Sequence, residues 1–506
     1  MLLEDLNHQE FNEKEFIDKI NSSIFDGTLS DLIEVTYAYE DLGNGKFLNK
    51  TLFEKLIGEK YNNNISYLNG KAMFYLHNKK QLVNRFILEL NSQSKLSEKM
   101  LILKGSLEYV RAILQLTIVG LPFESQKAGL ENNYDEIKIQ ERVELLETIE
   151  SKLFGGNIRN NKSESHDCYF YLKNIYQLNK GNLSQPEQTQ FQGYLDILEK
   201  FISKDSIDTN NLSMKNTISQ NIILKKLVNR DDYVRIFHLV FQIYGIQKSV
   251  IIDERSSIYD GDDAFYIPSA EAYEKLELQR VLQLIQHEIE THYIIQSNNE
   301  KLLGTFRGGN NLLREEGLAM VSEGLLAGKT LNDFGVSASL PMIFAGEVLD
   351  GEQYYDFINL LCKIKGENNI NGIYLRRKRN YPLNYKGVQH KDATYSRGIQ
   401  KVIEYIKDGK DLKELYIGKL SFEDLELGKK LSINNSINLK YPIFIGELIM
   451  FVLSGNKLQK LTFHKYLMNK YPFVFDKVSS QDLTLNELSF SNKKKIVEIL
   501  KILGSK

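Results

Sequence analysis

A chain of 506 residues, 42% hydrophobic and 26% charged, has the make-up of an ordinary globular protein with room for two or three structural units around a sizeable core. Its 64 lysines and arginines against 66 aspartates and glutamates leave a net charge of −2, spread along the chain, which excludes the basic stripe of a nucleic-acid-binding protein. The two cysteines, Cys168 and Cys362, form no Cys-x-x-Cys pair and fit a reduced compartment.

The start, Met1-Leu2-Leu3-Glu4-Asp5-Leu6, is acidic and has no basic stretch followed by an apolar one. No secretion signal is expected, and the cytoplasm is the expected location. Residues 1–215 form an expected helical region. Glu13 to Asn21, Gln81 to Leu90, Ser97 to Thr117, Glu136 to Leu153 and Gln188 to Ile202 carry apolar residues at the 3.6-residue period, separated by Gly and Asn breaks. Gly155 to Ser165 and Lys204 to Lys215 read as exposed loops. His77, His166 and Cys168 stand alone and read as structural or surface groups.

From about residue 216 the pattern changes. Tyr233 to Tyr244 is an apolar helix in which His238 reads as a core histidine. Ser249 to Asp253 and Ala264 to Pro268 are strand-like and flank a turn-rich Tyr259 to Asp263. The aspartates of that turn lack the spacing of a calcium loop. A strand or hairpin here offers an edge that can hold an extended peptide by main-chain hydrogen bonds.

Next comes a helix with Leu278, Val281, Leu282 and Ile285 on one stripe, running into His287-Glu288-Ile289-Glu290-Thr291-His292. Two imidazoles and a more distant carboxylate are a usual set for a catalytic zinc, and a glutamate after the first histidine is placed to take a proton from water. The spacing is unusual. On a regular α-helix, side chains five residues apart differ by about 140° in direction, against about 40° for four. Both histidines reach one ion only if a π-type turn adds a residue between them, and such a turn is predicted here. A loop, Thr305 to Asn311, then enters a helix that Asn310 or Asn311 can cap. That helix holds Arg314-Glu315-Glu316-Gly317-Leu318-Ala319. Glu323, seven residues past Glu316, shares its face and can support a histidine from behind, while Glu315, about 100° round, is the rival ligand.

The motif His-Glu-x-x-x-His followed by Glu-Glu-Gly-Leu-Ala resembles the microtubule-associated tyrosine carboxypeptidase family, whose bacterial members are called QEGLA-motif proteins. The resemblance is strongest from about 245 to 325. It implies that His287, His292 and Glu316 bind one Zn2+ and that Glu288 is the catalytic base. Arg376-Arg377-Lys378-Arg379-Asn380 is similar to an Arg-x-x-Arg-Gly segment of that family. Lys391-Asp392-Ala393-Thr394-Tyr395 is similar to a Lys-Asp-x-x-Tyr segment. A carboxypeptidase needs a cation for the substrate's terminal carboxylate, for which Arg307, Arg376, Arg379 and Lys391 are candidates, with His390 and Asp392 placed to assist. Tyr395 can donate to a developing oxyanion. Three positions depart from the pattern: Glu290 replaces a small residue, Glu315 a glutamine and Asn380 a glycine. Glu290 can orient a histidine, add a ligand or face solvent.

The helices Ser396 to Asp408, Ile443 to Ser454 and Lys493 to Leu503 complete the chain. The apolar run Ile443 to Leu453 contains Glu447 and falls short of the about 20 residues a bilayer requires. The expected fold is α+β and predominantly helical, with a zincin-like core and a small β-sheet. The expected regions are 1–215 helical, 216–410 catalytic and 411–506 helical. The implied activity is zinc-dependent removal of an aromatic or acidic C-terminal residue from a peptide or protein tail, with no nucleic-acid or membrane partner. A zinc endopeptidase or aminopeptidase, or a regulatory protein with a structural metal, are the alternatives.

Overall fold

The computed structural model describes residues 11–24, 65–127, 136–202, 225–253, 258–260, 264–368, 370–454, 456, 463, 465–467, 469 and 490–503. The expected loop at Lys204 to Lys215 lies outside these residues. So do Gly261, Asp262 and Asp263 of the acidic turn. The chain is predominantly helical with two small sheets. It divides into two compact units, one of residues 1–209, 305–310 and 336–394, the other of 210–304, 311–335 and 395–506. Each unit gathers stretches far apart in sequence, so their borders do not coincide with three consecutive regions.

The first unit opens with α1 (Glu13–Ser23), α2 (Ile65–Asn91), α3 (Glu98–Lys127), α4 (Glu136–Phe154), α5 (Lys162–Asn179) and α6 (Gln185–Glu199). The stretch Gly155 to Ser165 is only in part a loop. After a turn with Gly155 and Gly156 at φ 94° and 90°, Ile158–Asn160 form a 3-10 turn. Asn161 then caps α5 by accepting from the Ser163 and Glu164 N–H groups. A tertiary partner orders the segment: the Glu347 carboxylate accepts from the backbone N–H groups of Ile158 (2.9 Å) and Arg159 (2.7 Å).

The second unit begins with β1 (Leu227–Asn229), α7 (Arg230–Tyr244), β2 (Ser249–Asp253), β3 (Tyr259–Asp260), β4 (Ala264–Pro268) and β5 (Lys275–Glu277). β1 pairs antiparallel with β5. The other sheet has the order β2-β4-β3, with β2 parallel to β4 and β3 antiparallel to it. The two longer strands therefore do not form a hairpin, because β3 takes the antiparallel place beside β4. Every residue of β4 is buried, whereas edge strand β2 exposes Ile251 and Ile252. A continuous helical rod follows, α8 (Leu278–Leu284), a π-helical segment (Ile285–Tyr293) and α9 (Ile294–Leu302), and then α10 (Asn311–Leu326).

The chain returns to the first unit through α11 (Ser339–Val348), α12 (Gly351–Lys365) and α13 (Ile370–Arg377). The long α14 (Ala393–Lys407) leads back to the second unit, which ends with α15 (Leu425–Asn434), α16 (Ile445–Leu453) and α17 (Phe490–Ile502). No described helix is long and apolar enough to cross a membrane. Cys168 and Cys362 are both buried, free thiols in the core of the first unit.

That core also encloses ionisable groups. Glu150, Glu347 and His390 are at most 2% exposed. Glu150 accepts from the Tyr381 hydroxyl (3.0 Å) and the His390 N–H (3.1 Å), and His390 Nε2 meets Glu347 Oε1 at 2.9 Å. Burial pushes the Glu150 carboxyl up from 4.5 to about 7, although His390 and Tyr381 pull the other way. A carboxyl with a raised folded-state pKa stabilises the fold fully below its unfolded pKa, and that contribution is lost as pH rises through the folded value. Between pH 4.5 and about 7, Glu150→Gln should flatten the decline of stability with pH in urea unfolding. An unchanged slope would contradict this account.

Candidate metal centre

The site begins with a helix that changes its pitch. Leu278, Val281, Leu282 and Leu284 bury the apolar face of α8, and the 3.6-residue repeat then gives way to nine π-helical residues. Thr291, fully buried, donates its hydroxyl to the Gln286 carbonyl five residues back (2.9 Å). The wide turn brings His287 and His292 onto one face, with their ring centres 4.8 Å apart.

α10 supplies the third donor. Glu316 Oε2 lies 3.8 Å from His287 Nε2 and 3.9 Å from His292 Nε2, and the three potential ligand atoms all fall within 4.8 Å of one another. Around a tetrahedral zinc with bonds of about 2.0–2.1 Å, ligand atoms stand roughly 3.3–3.5 Å apart. The trio is therefore slightly open for zinc, by an amount that small side-chain rotations close. Two imidazoles and one carboxylate also suit zinc chemically, and leave a fourth position for another ligand.

Both histidines are backed by carboxylates. His287 Nδ1 stands 3.0 Å from Glu323 Oε1, and His292 Nδ1 2.7 Å from Glu315 Oε1. His292 Nδ1 is hydrogen-bonded to Glu315 and His287 Nδ1 lies within ion-pair distance of Glu323, and both rings present Nε2 towards Glu316, the arrangement by which outer carboxylates orient metal-binding histidines. Glu315 lies behind His292, not among the inward-facing donors. The side chain of Asn311, the first residue of α10, donates to Glu315 Oε2 (3.0 Å). Burial disfavours a charged His292, but Glu315, Glu316 and Glu288 outweigh it and raise its pKa to about 9. Burial would raise the Glu323 carboxyl, yet His287 and Arg280 hold it below the usual range. Glu288, half-buried on the π segment, is close enough to act on His292.

Glu290 takes none of the three roles open to it from the sequence: it supports neither histidine, is not among the converging donors and does not face solvent. Fully buried, it accepts hydrogen bonds from the Tyr244 hydroxyl of α7 and the Ile445 N–H of α16 (2.9 Å). Burial pushes its pKa up to about 7. Its side chain ties the π segment to α7 and α16.

Gly317 in the Glu-Glu-Gly-Leu-Ala segment is required by a backbone contact. A Cβ there would fall 2.3 Å from the Gly398 carbonyl carbon on α14, and one on Gly398 would fall 2.2 Å from the Leu313 carbonyl oxygen. The two helices touch main chain to main chain beside Glu316. Tyr395, half-buried, precedes Gly398 by three residues and shares its face of α14.

The remaining sequence candidates belong to the first unit. Arg307 is exposed, Lys391 half-buried and Arg379 8% exposed. Arg376 forms a two-pronged pair with Asp392 (3.0 and 3.1 Å), and Arg377 donates to the same carboxylate. Burial would raise the Asp392 carboxyl, but Arg377 and Arg376 hold it low. Sequence reasoning missed three residues of the second unit. Arg280 meets Glu323 at 3.3 Å and Lys419 meets Glu315 at 3.6 Å. Arg314, fully buried, donates to the carbonyls of Leu415, Gly418 and Leu420. Arg280 lies seven residues before His287, a helical spacing that could have revealed it. Lys419 carries no local signal.

No protein-family model matches the sequence, and no curated protein matches it.

Gly398→Ala should destabilise the protein by about 1–3 kcal/mol, since its methyl must displace main chain; a thermal unfolding midpoint equal to wild type would contradict the close crossing. Metal uptake should also depend on pH. Below about 9 the metal-free His292 holds a proton that an incoming cation must displace, so apparent affinity should weaken by up to about tenfold per pH unit on acidification. Calorimetry in buffers of different ionisation enthalpy should register the released proton at pH 7.

Proposed function

We propose that the protein is a zinc-dependent metallopeptidase with His287, His292 and Glu316 as metal ligands and Glu288 as general base. The observation that carries this reading is the convergence of both Nε2 atoms and Glu316 Oε2 across a π-helical turn. A zinc ion held there would supply Lewis acidity towards a carbonyl and a lowered pKa for water. Glu288 takes the proton of the attacking water and returns it to the leaving amine. Glu323 and Glu315 keep the imidazoles in the tautomer that presents Nε2. Tyr395, on the α14 face that meets α10, is the phenolic donor for oxyanion charge.

The narrower assignment, a carboxypeptidase acting on a protein or peptide tail, rests on the resemblance to the microtubule-associated tyrosine carboxypeptidase family. Two structural observations favour the matching of motifs. Gly317 stands where no other residue fits. Asn380 stands where the resembled segment has glycine and adopts φ 65°, a conformation that glycine takes freely and asparagine tolerates.

Metal analysis of the purified protein, with chelator removal and readdition, tests the premise. About one zinc per chain is expected, lost in His292→Ala and Glu316→Ala. Peptides with free and amidated C-termini, followed by mass spectrometry, test the activity. Loss of one terminal residue from the free form alone is expected, and Glu288→Gln should slow it by about 10²–10⁴-fold while keeping its zinc. Equal cleavage of amidated peptides would indicate an endopeptidase or aminopeptidase, and wild-type protein that takes up no zinc would refute the reading at its base.

A further inference from the structure

The two histidines of the centre are held by matching arms. In one, Arg280 Nη1 stands 3.3 Å from Glu323 Oε1, the same oxygen that lies 3.0 Å from His287 Nδ1. In the other, Lys419 Nζ stands 3.6 Å from Glu315 Oε1, the same oxygen that lies 2.7 Å from His292 Nδ1. Each arm thus runs cation, carboxylate, imidazole, and ends at an Nε2 facing Glu316. The arms differ in exposure. The Arg280 side chain is 49% exposed, the Lys419 side chain 13% and that of Glu315 5%.

The Lys419 arm is built from two sides. The Lys419 N–H donates to Asn299 Oδ1 (2.9 Å) on α9, the continuation of the helix that carries His292. Arg314, adjacent to Glu315, clamps the carbonyls of Leu415, Gly418 and Leu420 on either side of Lys419. Gly418, with φ 157°, lies beside Asn299 and Leu302 of α9. The loop's backbone is therefore fixed relative to both Glu315 and His292. A fully buried guanidinium with three carbonyl acceptors is an expensive anchor unless what it positions matters.

We propose that Lys419 is a positioning residue of the metal centre, holding the Glu315 carboxylate on His292 Nδ1, and that Arg280 does the same, more weakly, for Glu323 and His287. The inference rests on the metal-site reading above. Lys419 offsets part of the negative charge that Glu315 shares with Glu316 and Glu288 around His292, and its removal loosens the hold on the ring of a carboxylate that Asn311 also supports. Lys419 does not touch the ligand atoms; it acts through Glu315.

The test uses the full chain, freed of metal by chelation and titrated with Zn2+ against a chromophoric chelator and with Co2+ by visible absorption. Lys419→Met should bind Zn2+ about tenfold more weakly, the lower end for groups that orient a ligand from outside, and should shift the Co2+ ligand-field band. Lys419→Arg should restore affinity to within about twofold. Arg280→Met should lose about threefold, as suits an exposed pair. In a Glu315→Gln background, Lys419→Met should cause no further loss, because its effect passes through that carboxylate. Lys419→Gln, which preserves polarity in the loop, gives the same comparison if the methionine variant does not fold. Wild-type-like affinity and an unchanged Co2+ band in folded Lys419 variants would overturn the proposal while leaving the metal site standing, as would an equal loss in the Glu315→Gln background. A wild-type protein that binds neither ion would overturn both.

Discussion

Everything at the centre depends on one widened turn. An α-helix would aim His287 and His292 about 140° apart, and no movement of α10 could then bring Glu316 within reach of both. The π-helical segment has poorer backbone geometry than an α-helix, so its surroundings must hold it. Ile285, Ile289, Ile294 and Ile295 are at most 1% exposed and anchor its inner side. The Thr291 hydroxyl occupies the Gln286 carbonyl across the turn. Glu290 fixes the rotation of the segment through Tyr244 and Ile445. The residue most exceptional within the motif thus shapes the site without entering it.

The second constraint is charge. Burial disfavours a charged His292, but Glu315, Glu316 and Glu288 raise its pKa to about 9, while Glu323 stands against His287. Such an arrangement is costly for a folded chain unless cations answer it. Arg280 and Lys419 do so at the rim, while Arg314 lies beneath, its guanidinium shared among three carbonyls. The two Nε2 atoms and Glu316 Oε2 face one another, the geometry on which the proposed metal binding rests. Three consecutive residues of α10 divide the work: Arg314 fixes a loop, Glu315 orients a ring and Glu316 faces the open side.

What could be read in the sequence was local. Helical periodicity located α4, α7, α8 and α14 to within a few residues, because each buries one stripe. Alternation and β-branched composition placed β2 and β4. The five-residue histidine spacing implied the wide turn, since no other helical geometry serves a shared target. The seven-residue step from Glu316 to Glu323 set both carboxylates on one face of α10, which the structure places at opposite ends of His287.

Tertiary structure alone decided the rest, for reasons of distance along the chain. The parallel pairing of β2 with β4 depends on where β3 lies, and the order in Gly155 to Ser165 depends on Glu347, almost two hundred residues later. Glu290 could not be told from a histidine's partner until Tyr244 and the start of α16 were brought to it. Gly317 could be recognised as necessary only against Gly398. Lys419, more than a hundred residues past His292, has no periodic relation to the motif it supports. The sequence determined which side chains could form the centre, because spacing and chemistry are written locally; the fold decided their orientation and the cations that support them, because those contacts exist only once distant segments pack together.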